Sequence, residues 1–284
     1  MGCCKYYKGK ALERGKGPAL APSGWQSHSN PEAEAEGNPN RAACQVWVPG
    51  RKGSLLPGRR SATLHAMIGP VRIKICGVTT EEDGRQAGLL GADAIGLNFY
   101  PSSPRYIAPA GVAGILRALP PFVEPVGVFV RLRWEEVRQL VQPFGRIHTV
   151  QWHGEEHEAE DISPLRLIPA FPVRDRDSLK GILHYLDSCR SLGLLPAAIL
   201  VDAHVPGQYG GTGQRAPWEL LADFPPVVPL ILAGGLTPEN VAEAIRIVQP
   251  YGVDVASGVE SSPGRKDLEK MKRFIGNARE AALK

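Results

Sequence analysis

Eight short runs of β-branched and other apolar residues alternate with helical patterns along residues 71–257, and no other feature of the chain constrains its fold as strongly. Neighbouring parallel strands need a crossover connection, usually a helix, so this alternation is typical of a parallel sheet built from βα units. We therefore expect an α/β fold. The predicted strands are 71–76, 94–99, 125–130, 148–152, 167–171, 198–202, 228–233 and 253–257.

Helix signals lie between several of these runs. Thr79 and Glu82 have the spacing of a capping box, and Thr237 followed by Pro238 predicts an N-cap and an N1 proline. The segment 154–166 is predicted to hold only a short or irregular helix. Apolar stripes at i, i+3, i+4 and i+7 predict the buried faces of the last two helices. Their members are Val241, Ala244, Ile245 and Val248, and then Leu268, Met271, Ile275 and Ala278.

The turn after the first run distinguishes the two common folds built from βα units. A doubly wound sheet usually carries the fingerprint GxGxxG there, whereas this chain reads CGVTT at 76–80. Eight βα units within about 215 residues instead fit a (β/α)8 barrel, the TIM barrel, near the small end of its usual size range. We predict that residues 67–284 form this barrel as one domain.

Residues 1–66 differ from the rest in composition. They are rich in Gly, Pro, Ser and charge without a sustained apolar period, so we predict a disordered N-terminal leader. The leader has a net charge of +6 and the whole chain +4, which leaves −2 for the remainder. Because the basic surplus lies outside the predicted barrel, nucleic acid is not an expected partner. We interpret Met67 as the true start, with the leader an extension or a targeting segment.

The absence of targeting, membrane-spanning and metal-ligand patterns predicts the compartment and the kind of cofactor. Neither a secretory signal nor a run of 18 apolar residues is present, so we expect a cytoplasmic protein without a membrane partner. The five cysteines show neither CxxC spacing nor a paired histidine pattern, so neither a disulfide framework nor a metal site is predicted. The chain is expected to be a monomer or a homodimer.

Two polar residues end predicted strands, where a (β/α)8 barrel has its active site. Alternation along the first strand turns Arg72, Lys74 and Cys76 inward, with Cys76 at the mouth of the barrel. The sixth strand ends in Asp202, a carboxylate that is costly to bury without a purpose or a partner. An inert buried thiol is the alternative interpretation of Cys76.

Glycine turns follow the last two strands, at Gly234-Gly235 and at Ser257-Gly258. The loops after strands 7 and 8 commonly bind phosphate in this fold, and glycines let backbone N–H groups converge on an anion. These turns therefore predict a small phosphorylated substrate, although a single pair of glycines indicates no more than a tight turn. The glycine-rich loop 204–213 is interpreted as a mobile lid, with Gly211 as a further substrate contact.

Three further polar residues are candidates for substrate binding. Arg105 lies in the proline-bracketed loop 101–106 after the second strand, where its forked guanidinium suits a substrate carboxylate. Gln151 and His153 are expected to face inward at the end of the fourth strand. The alternative is a solvated arginine and an ordinary polar lining.

Seven collinear motifs, spread over the whole predicted barrel, resemble those of phosphoribosylanthranilate isomerase, a tryptophan-pathway enzyme. They are KICG at 74–77, NFY at 98–100 with SPRYI at 103–107, VGVFV at 126–130, QWHGE at 151–155, Asp202 with GGTG at 210–213, AGGL at 233–236 and DVASGVE at 254–260. Each motif alone is weakly specific, but seven in the same order are highly specific. Trp152 stands where the family usually has Leu, and Ala233 where many members have Ser.

The resemblance implies an Amadori rearrangement without metal or organic cofactor, the third step of tryptophan synthesis from chorismate. N-(5-phosphoribosyl)anthranilate becomes 1-(2-carboxyphenylamino)-1-deoxyribulose 5-phosphate. By resemblance, Asp202 is the general acid that protonates the ring oxygen and Cys76 is the general base that removes the C2′ proton. Arg105 is assigned to the anthranilate carboxylate, and the turns at Gly235 and Ser257-Gly258 to the ribose phosphate.

Local charge fits this division of roles. We expect Lys74 and Arg72 to favour the Cys76 thiolate, since a nearby positive charge lowers a cysteine pKa. Desolvation at the end of an apolar strand is expected to raise the pKa of Asp202, so that it holds a proton near neutrality.

Two other functions are compatible with the same barrel. A metal-dependent sugar-phosphate epimerase requires His and Asp ligands at several strand ends, where the chain offers only His153, with His204 in the lid. A non-catalytic phosphate-binding barrel requires the acid or the base to be missing, whereas Cys76 and Asp202 are both present.

Overall fold

Eight parallel strands form the closed barrel that the alternation predicts. The computed structural model describes residues 70–154, 157–203, 217–225 and 227–282, so the predicted leader and Gly211 lie outside the described residues. Each strand pairs with the next along the chain, and the first pairs with the eighth. The strands are β1 Arg72–Cys76, β2 Ala94–Asn98, β3 Glu124–Val130, β4 Thr149–His153, β5 Arg166–Val173, β6 Ile199–Ala203, β7 Leu230–Leu232 and β8 Gly252–Val255.

Helices connect most of these strands. Residues 157–165, in the connection from β4 to β5, contain no helix, whereas the sequence pattern predicts a short or irregular one. The helices are α1 Glu81–Leu89, α2 Pro109–Ala118, α3 Trp134–Val141, α4 Arg176–Leu192, α5 Trp218–Leu221, α6 Val241–Val248 and α7 Leu268–Ala281. No helix among the described residues is long and apolar enough to cross a membrane.

Two helix starts differ from their predictions. Thr80, not Thr79, caps α1, because its hydroxyl accepts the Asp83 N–H at 3.1 Å. The Thr79 hydroxyl instead donates to the carbonyl of Gly264 at 2.6 Å. Helix α6 begins at Val241 rather than at the predicted Pro238, since Asn240 accepts the Thr237 N–H at 2.8 Å and holds residues 238–240 in turns.

The eighth strand also ends earlier than predicted. Strand β8 stops at Val255, because the backbone of Ala256 leaves the β region with φ −119° and ψ −81°. Ser257 thus begins a 3₁₀ turn, Ser257–Val259. A hairpin follows, made of β9 Glu260–Ser262 and β10 Arg265–Lys266, before α7 begins.

The outward faces of the strands pack against the helices in one large apolar cluster. Strands β1 and β6 contribute Ile73, Ile75, Ile199 and Val201, all fully buried. The predicted stripe of α6 is buried throughout, whereas Leu268 at the start of α7 is 44% exposed, so its predicted burial is wrong. On α7, Phe274 and Ala278 are both fully buried.

The barrel interior is apolar on one side and polar on the other. Around β5, β6 and β7 it is filled by Ile168, Ala170, Ala198, Leu200, Ile231 and Ala233. Strands β1, β4 and β8 instead contribute the buried side chains Lys74, Thr149, Gln151, His153 and Asp254. Because buried polar groups need partners, this polar half is where chemistry is expected.

Replacing Phe129 by Ala tests the packing between barrel and helices. Its ring is fully buried and stacks on Phe99 with centroids 5.1 Å apart. We expect F129A to lower the free energy of unfolding by about 3–5 kcal/mol, measured by denaturant titration. The matched variant F122A removes a side chain that is 96% exposed, and its expected change is within about 0.5 kcal/mol. Equal effects of the two variants would contradict the described core.

Candidate active site

A cavity of about 460 Å³ opens at the C-terminal ends of the strands. It brings together eight of the ten residues that the sequence singled out, although their roles remain predictions. Gly258 is beside this lining rather than in it, and Gly211 lies outside the described residues. The eight are Cys76, Arg105, Gln151, His153, Asp202, Gly234, Gly235 and Ser257.

Cys76 ends β1 at the floor of the cavity, and its residue surface is 8% exposed. Gly96 on β2 makes room for the thiol, because a Cβ at that position would lie 2.6 Å from Sγ. A glycine inside a strand often marks such a close approach, which is the signal that the sequence carried for Gly96. The backbone of β2 therefore fixes where the thiol lies.

A buried ion pair lies directly below this thiol. Lys74 donates to Asp254 at 2.8 Å, and their side chains are only 6% and 8% exposed. The two residues are register partners in β1 and β8. Burial lowers the pKa of Lys74, but Asp254 and Cys76 raise it, and the pKa ends above its usual value. Lys74 is thus held in its charged form, and Asp254 is a site residue that sequence reasoning missed.

The expectation that basic neighbours lower the thiol pKa is wrong in its net direction. Burial and the charge of Asp254 raise the pKa of Cys76, and together they outweigh Lys74, which lowers it. Arg72 does not take part, because it binds Asp93 at 2.9 Å at the opposite end of β1 and is half exposed. Burial and Asp254 thus disfavour the Cys76 thiolate, and the nearby positive charge acts against them.

Gln151 and His153 form a hydrogen-bonded pair on the wall of the cavity. The Gln151 amide nitrogen lies 2.8 Å from His153 Nε2, and both side chains are buried. Burial first, and then the charge of Lys74, lower the pKa of His153 to about 3. The neutral ring accepts the amide proton on Nε2 and so carries its own proton on Nδ1. Gln151 Oε1 is buried without a partner among the described residues and is available to a ligand hydroxyl.

Asp202 lies near the end of β6, beside the Pro172 position of β5, and lines the same cavity as Cys76. Its partly exposed position gives it access to a bound molecule. Strand pairing fixes this position, since Leu200 and Val201 are in register with β7 below it. The structure therefore places a carboxyl group and a thiol on one cavity, as the strand ends predict.

Arg105 has an internal carboxylate partner that the sequence did not indicate. Its Nε and Nη2 donate to Glu260 at 2.9 and 2.8 Å, and both side chains are largely buried. A guanidinium has five N–H donors, so the edge formed by Nη1 and Nη2 still suits a second carboxylate. Glu260 thus orients Arg105 towards the cavity rather than replacing the predicted substrate carboxylate.

The glycine turns after β7 and β8 contribute Gly234, Gly235 and Ser257 to the lining of the cavity. Gly234 and Gly235 have φ of 86° and 62°, a region that glycine adopts without strain. The Asn240 amide donates to the Gly235 carbonyl at 2.9 Å and so fixes the orientation of this turn. Among the residues that the structure describes, no three His, Cys, Asp or Glu side chains lie together as metal ligands do.

Comparison with known proteins decides the family. Residues 73–277 match the family model for N-(5′-phosphoribosyl)anthranilate isomerase. The chain belongs to this family. The isomerase of Citrifermentans bemidjiense is 45% identical over 213 residues, which are 75% of this chain and 98% of the relative. The isomerase of Geobacter sulfurreducens is 46% identical over 210 residues, 74% of this chain and 98% of the relative.

Solved isomerase structures have the same fold. The Thermotoga maritima phosphoribosylanthranilate isomerase has a TM-score of 0.64 and 39% identity, covering 74% of this chain and 99% of that one. A further isomerase structure, with a TM-score of 0.61 and 37% identity, contains reduced 1-(o-carboxyphenylamino)-1-deoxyribulose 5-phosphate. It covers 74% of this chain and 99% of its own. The predicted barrel and isomerase family are confirmed.

The pH dependence of stability tests the buried state of His153. The unfolded chain protonates a histidine below about pH 6.5, whereas the folded chain does so only near 3. Stability is therefore lost as pH falls from 6.5, by about 1.4 kcal/mol per pH unit for one such histidine. We expect H153Q to weaken the pH dependence of the free energy of unfolding in urea between pH 6.5 and 4.5. A smaller dependence remains from His157, because the pKa of that residue is also lowered, to about 4. An unchanged slope would contradict a buried, neutral His153.

A substitution at Gly258 tests the phosphate rim. A Cβ there would lie 1.9 Å from the Leu236 carbonyl oxygen, which is backbone and cannot move without shifting the turn after β7. We expect G258A to raise KM for the phosphorylated substrate about tenfold or more, the equivalent of one lost hydrogen bond to a charged group. G276A is the control, because nothing lies within 4 Å of a Cβ there. A folded G258A with unchanged KM would show that this turn does not form the substrate site.

Proposed function

We propose that the chain catalyses the Amadori rearrangement of N-(5′-phosphoribosyl)anthranilate, with Asp202 as general acid and Cys76 as general base. The observation that supports this assignment best is the position of the two groups at the ends of β6 and β1, on one cavity of an isomerase barrel. General acid and base groups must both reach the same sugar, and a shared cavity meets this requirement.

The proposed reaction needs one proton given and one proton taken. Asp202 donates a proton to the furanose ring oxygen, the bond from C1′ to that oxygen breaks, and the anthranilate nitrogen lone pair forms the Schiff base. The Cys76 thiolate then removes the proton from C2′, and the electron pair of that bond forms the enolamine. Protonation at C1′ and loss of the proton from the C2′ hydroxyl then give the aminoketose. No net oxidation occurs, so the chemistry has no need of a redox partner.

Charge complementarity orients the proposed substrate. The ribose phosphate is assigned to the backbone N–H groups of the turns at 234–235 and 257–258, and the anthranilate carboxylate to the open edge of Arg105. Gln151 and His153 are assigned to the sugar hydroxyls between these two anchors. The relative that was solved with a reduced carboxyphenylamino-deoxyribulose phosphate supports a ligand with one phosphate and one carboxylate.

The rest of the proposal concerns the whole chain. We assign the enzyme to the cytoplasm, as a monomer or a homodimer; a Thermotoga maritima isomerase is described as dimeric. Gly211, which lies outside the described residues, is proposed as a further substrate contact. The barrel is proposed to be residues 67–284, with residues 1–66 dispensable for catalysis.

Substitution of the acid and of the base tests the proposal. Loss of phosphoribosylanthranilate fluorescence is followed with the full chain and with residues 67–284, which we expect to have the same kcat. C76S and D202N are each expected to lower kcat by about 10²–10⁴, the usual contribution of one general acid or base.

Matched controls are C189A, which removes another buried thiol, and D223N, which removes an exposed carboxylate. Both controls are expected to retain activity. An active C76S or D202N would remove that residue from the mechanism, and an inactive native chain would contradict the proposed reaction itself. Activity that is lost on chelation and restored by metal would favour an epimerase.

A further inference from the structure

The β9–β10 hairpin contacts both the loop that follows Cys76 and the loop that carries Arg105. At its tip, the Gly264 carbonyl accepts the Thr79 hydroxyl at 2.6 Å, in the loop after β1. A Cβ at Gly264 would lie 2.8 Å from the carbonyl oxygen of Pro104, in the loop after β2. The hairpin thus packs tightly on both loops. The sequence did not predict this contact, because the last recognised motif ends at Glu260.

Lys266 extends from this hairpin to the backbone of Cys76. Its ammonium donates to the Cys76 carbonyl at 2.6 Å, to the Ala256 carbonyl at 3.2 Å and to Glu260 Oε1 at 2.9 Å. The side chain is 0% exposed. An ammonium group has three N–H donors, and these three acceptors use all of them. Lys266 therefore has no proton left to offer to a substrate.

Glu260 links Lys266 to Arg105, the residue proposed to bind the substrate carboxylate. Its Oε1 accepts both Lys266 and the Nε of Arg105, and its Oε2 accepts the Nη2 of Arg105. The side chain is 5% exposed, so these charge-assisted bonds are shielded from water. One connected set of buried bonds hence links the main chain of the proposed base to the arginine proposed to bind the anthranilate carboxylate.

We infer that Lys266 is a positioning residue for the isomerisation. It holds Cys76 and Arg105 in fixed relative positions and supplies the positive charge that favours the thiolate. The inference rests on the proposed roles of these two residues. The Lys74–Asp254 pair below the thiol carries no net charge, whereas Lys266, Glu260 and Arg105 together carry one positive charge.

The electrostatic part of this role has support from the groups around the thiol. Burial is the largest influence and raises the pKa of Cys76, Asp254 raises it further, and Lys74 and Lys266 lower it. Lys74 and Lys266 are thus the two cations that act against desolvation of the thiol. They differ in their partners, because Glu260, the partner of Lys266, also binds Arg105. The other ionisable groups that line the cavity are Tyr100, Arg105, His153 and Asp202.

Two substitutions with opposite electrostatic effects test the inference in the full chain. K266M removes the cation but keeps much of the side-chain volume, so the Cys76 pKa is expected to rise. E260Q removes the anion and leaves Lys266 and Arg105 unneutralised, so that pKa is expected to fall. K270M is the control, because Lys270 binds the main-chain carbonyl of the same glutamate at 2.7 Å.

The thiol pKa is read from the pH dependence of Cys76 alkylation by iodoacetamide, located by peptide mass spectrometry. We expect shifts of about half a pKa unit or more in opposite directions, as a full charge near a buried group requires. K266M is expected to lower kcat about tenfold or more through the lost buried hydrogen bonds, and E260Q to act mainly by raising KM through Arg105. K270M should change kcat and KM by no more than about twofold.

The outcomes separate this inference from the proposed function. Alkylation needs no turnover, so opposite pKa shifts with an inactive native chain would support the electrostatic role and contradict the reaction. Shifts in the same direction in both variants, or a K266M that changes only thermal stability, would overturn the inference. If K266M does not fold, E260Q alone tests the inference. An E260Q variant with an unchanged thiol pKa and an unchanged KM would also overturn it.

Discussion

The pairing of β1 with β8 closes the barrel, and the contacts around Cys76 depend on it. This pairing places Lys74 directly beside Asp254, so that two charges inside the barrel neutralise each other at 2.8 Å. The same closure brings the segment after β8 next to the end of β1, where Lys266 binds the Cys76 carbonyl. Without it the thiol, the glycine turns and the hairpin would be at opposite ends of an open sheet.

Charge is distributed in two layers around the thiol. Below Cys76 the Lys74–Asp254 pair is neutral, and above it the Arg105–Glu260–Lys266 group keeps one net positive charge. Because burial raises the pKa of Cys76, the upper layer matters for forming a thiolate. The neutral His153, with its pKa lowered to about 3, adds hydrogen bonds to the cavity without adding charge.

Local sequence patterns predicted the eight strands, and strand alternation predicted which side chains reach the cavity, because both depend on neighbouring residues. The partners of those side chains could not be predicted in this way. Lys266 and the Cys76 carbonyl are 190 residues apart, Arg105 and Glu260 155, and Lys74 and Asp254 180. The error of one residue at Thr80 has the same cause, since either threonine offers the same hydroxyl and the contact of Thr79 with Gly264, 185 residues away, decides between them.

The central claim is that one thiol and one carboxyl group act on the same sugar across the barrel. A crystal structure of the full chain with the reduced product analogue bound tests it most directly. We expect Cys76 Sγ beside C2′, a carboxyl oxygen of Asp202 beside the C4′ hydroxyl, which is the ring oxygen of the closed substrate, and the analogue carboxylate on Arg105. An analogue bound with its phosphate at Arg105, or with C2′ out of reach of the thiol, would contradict it.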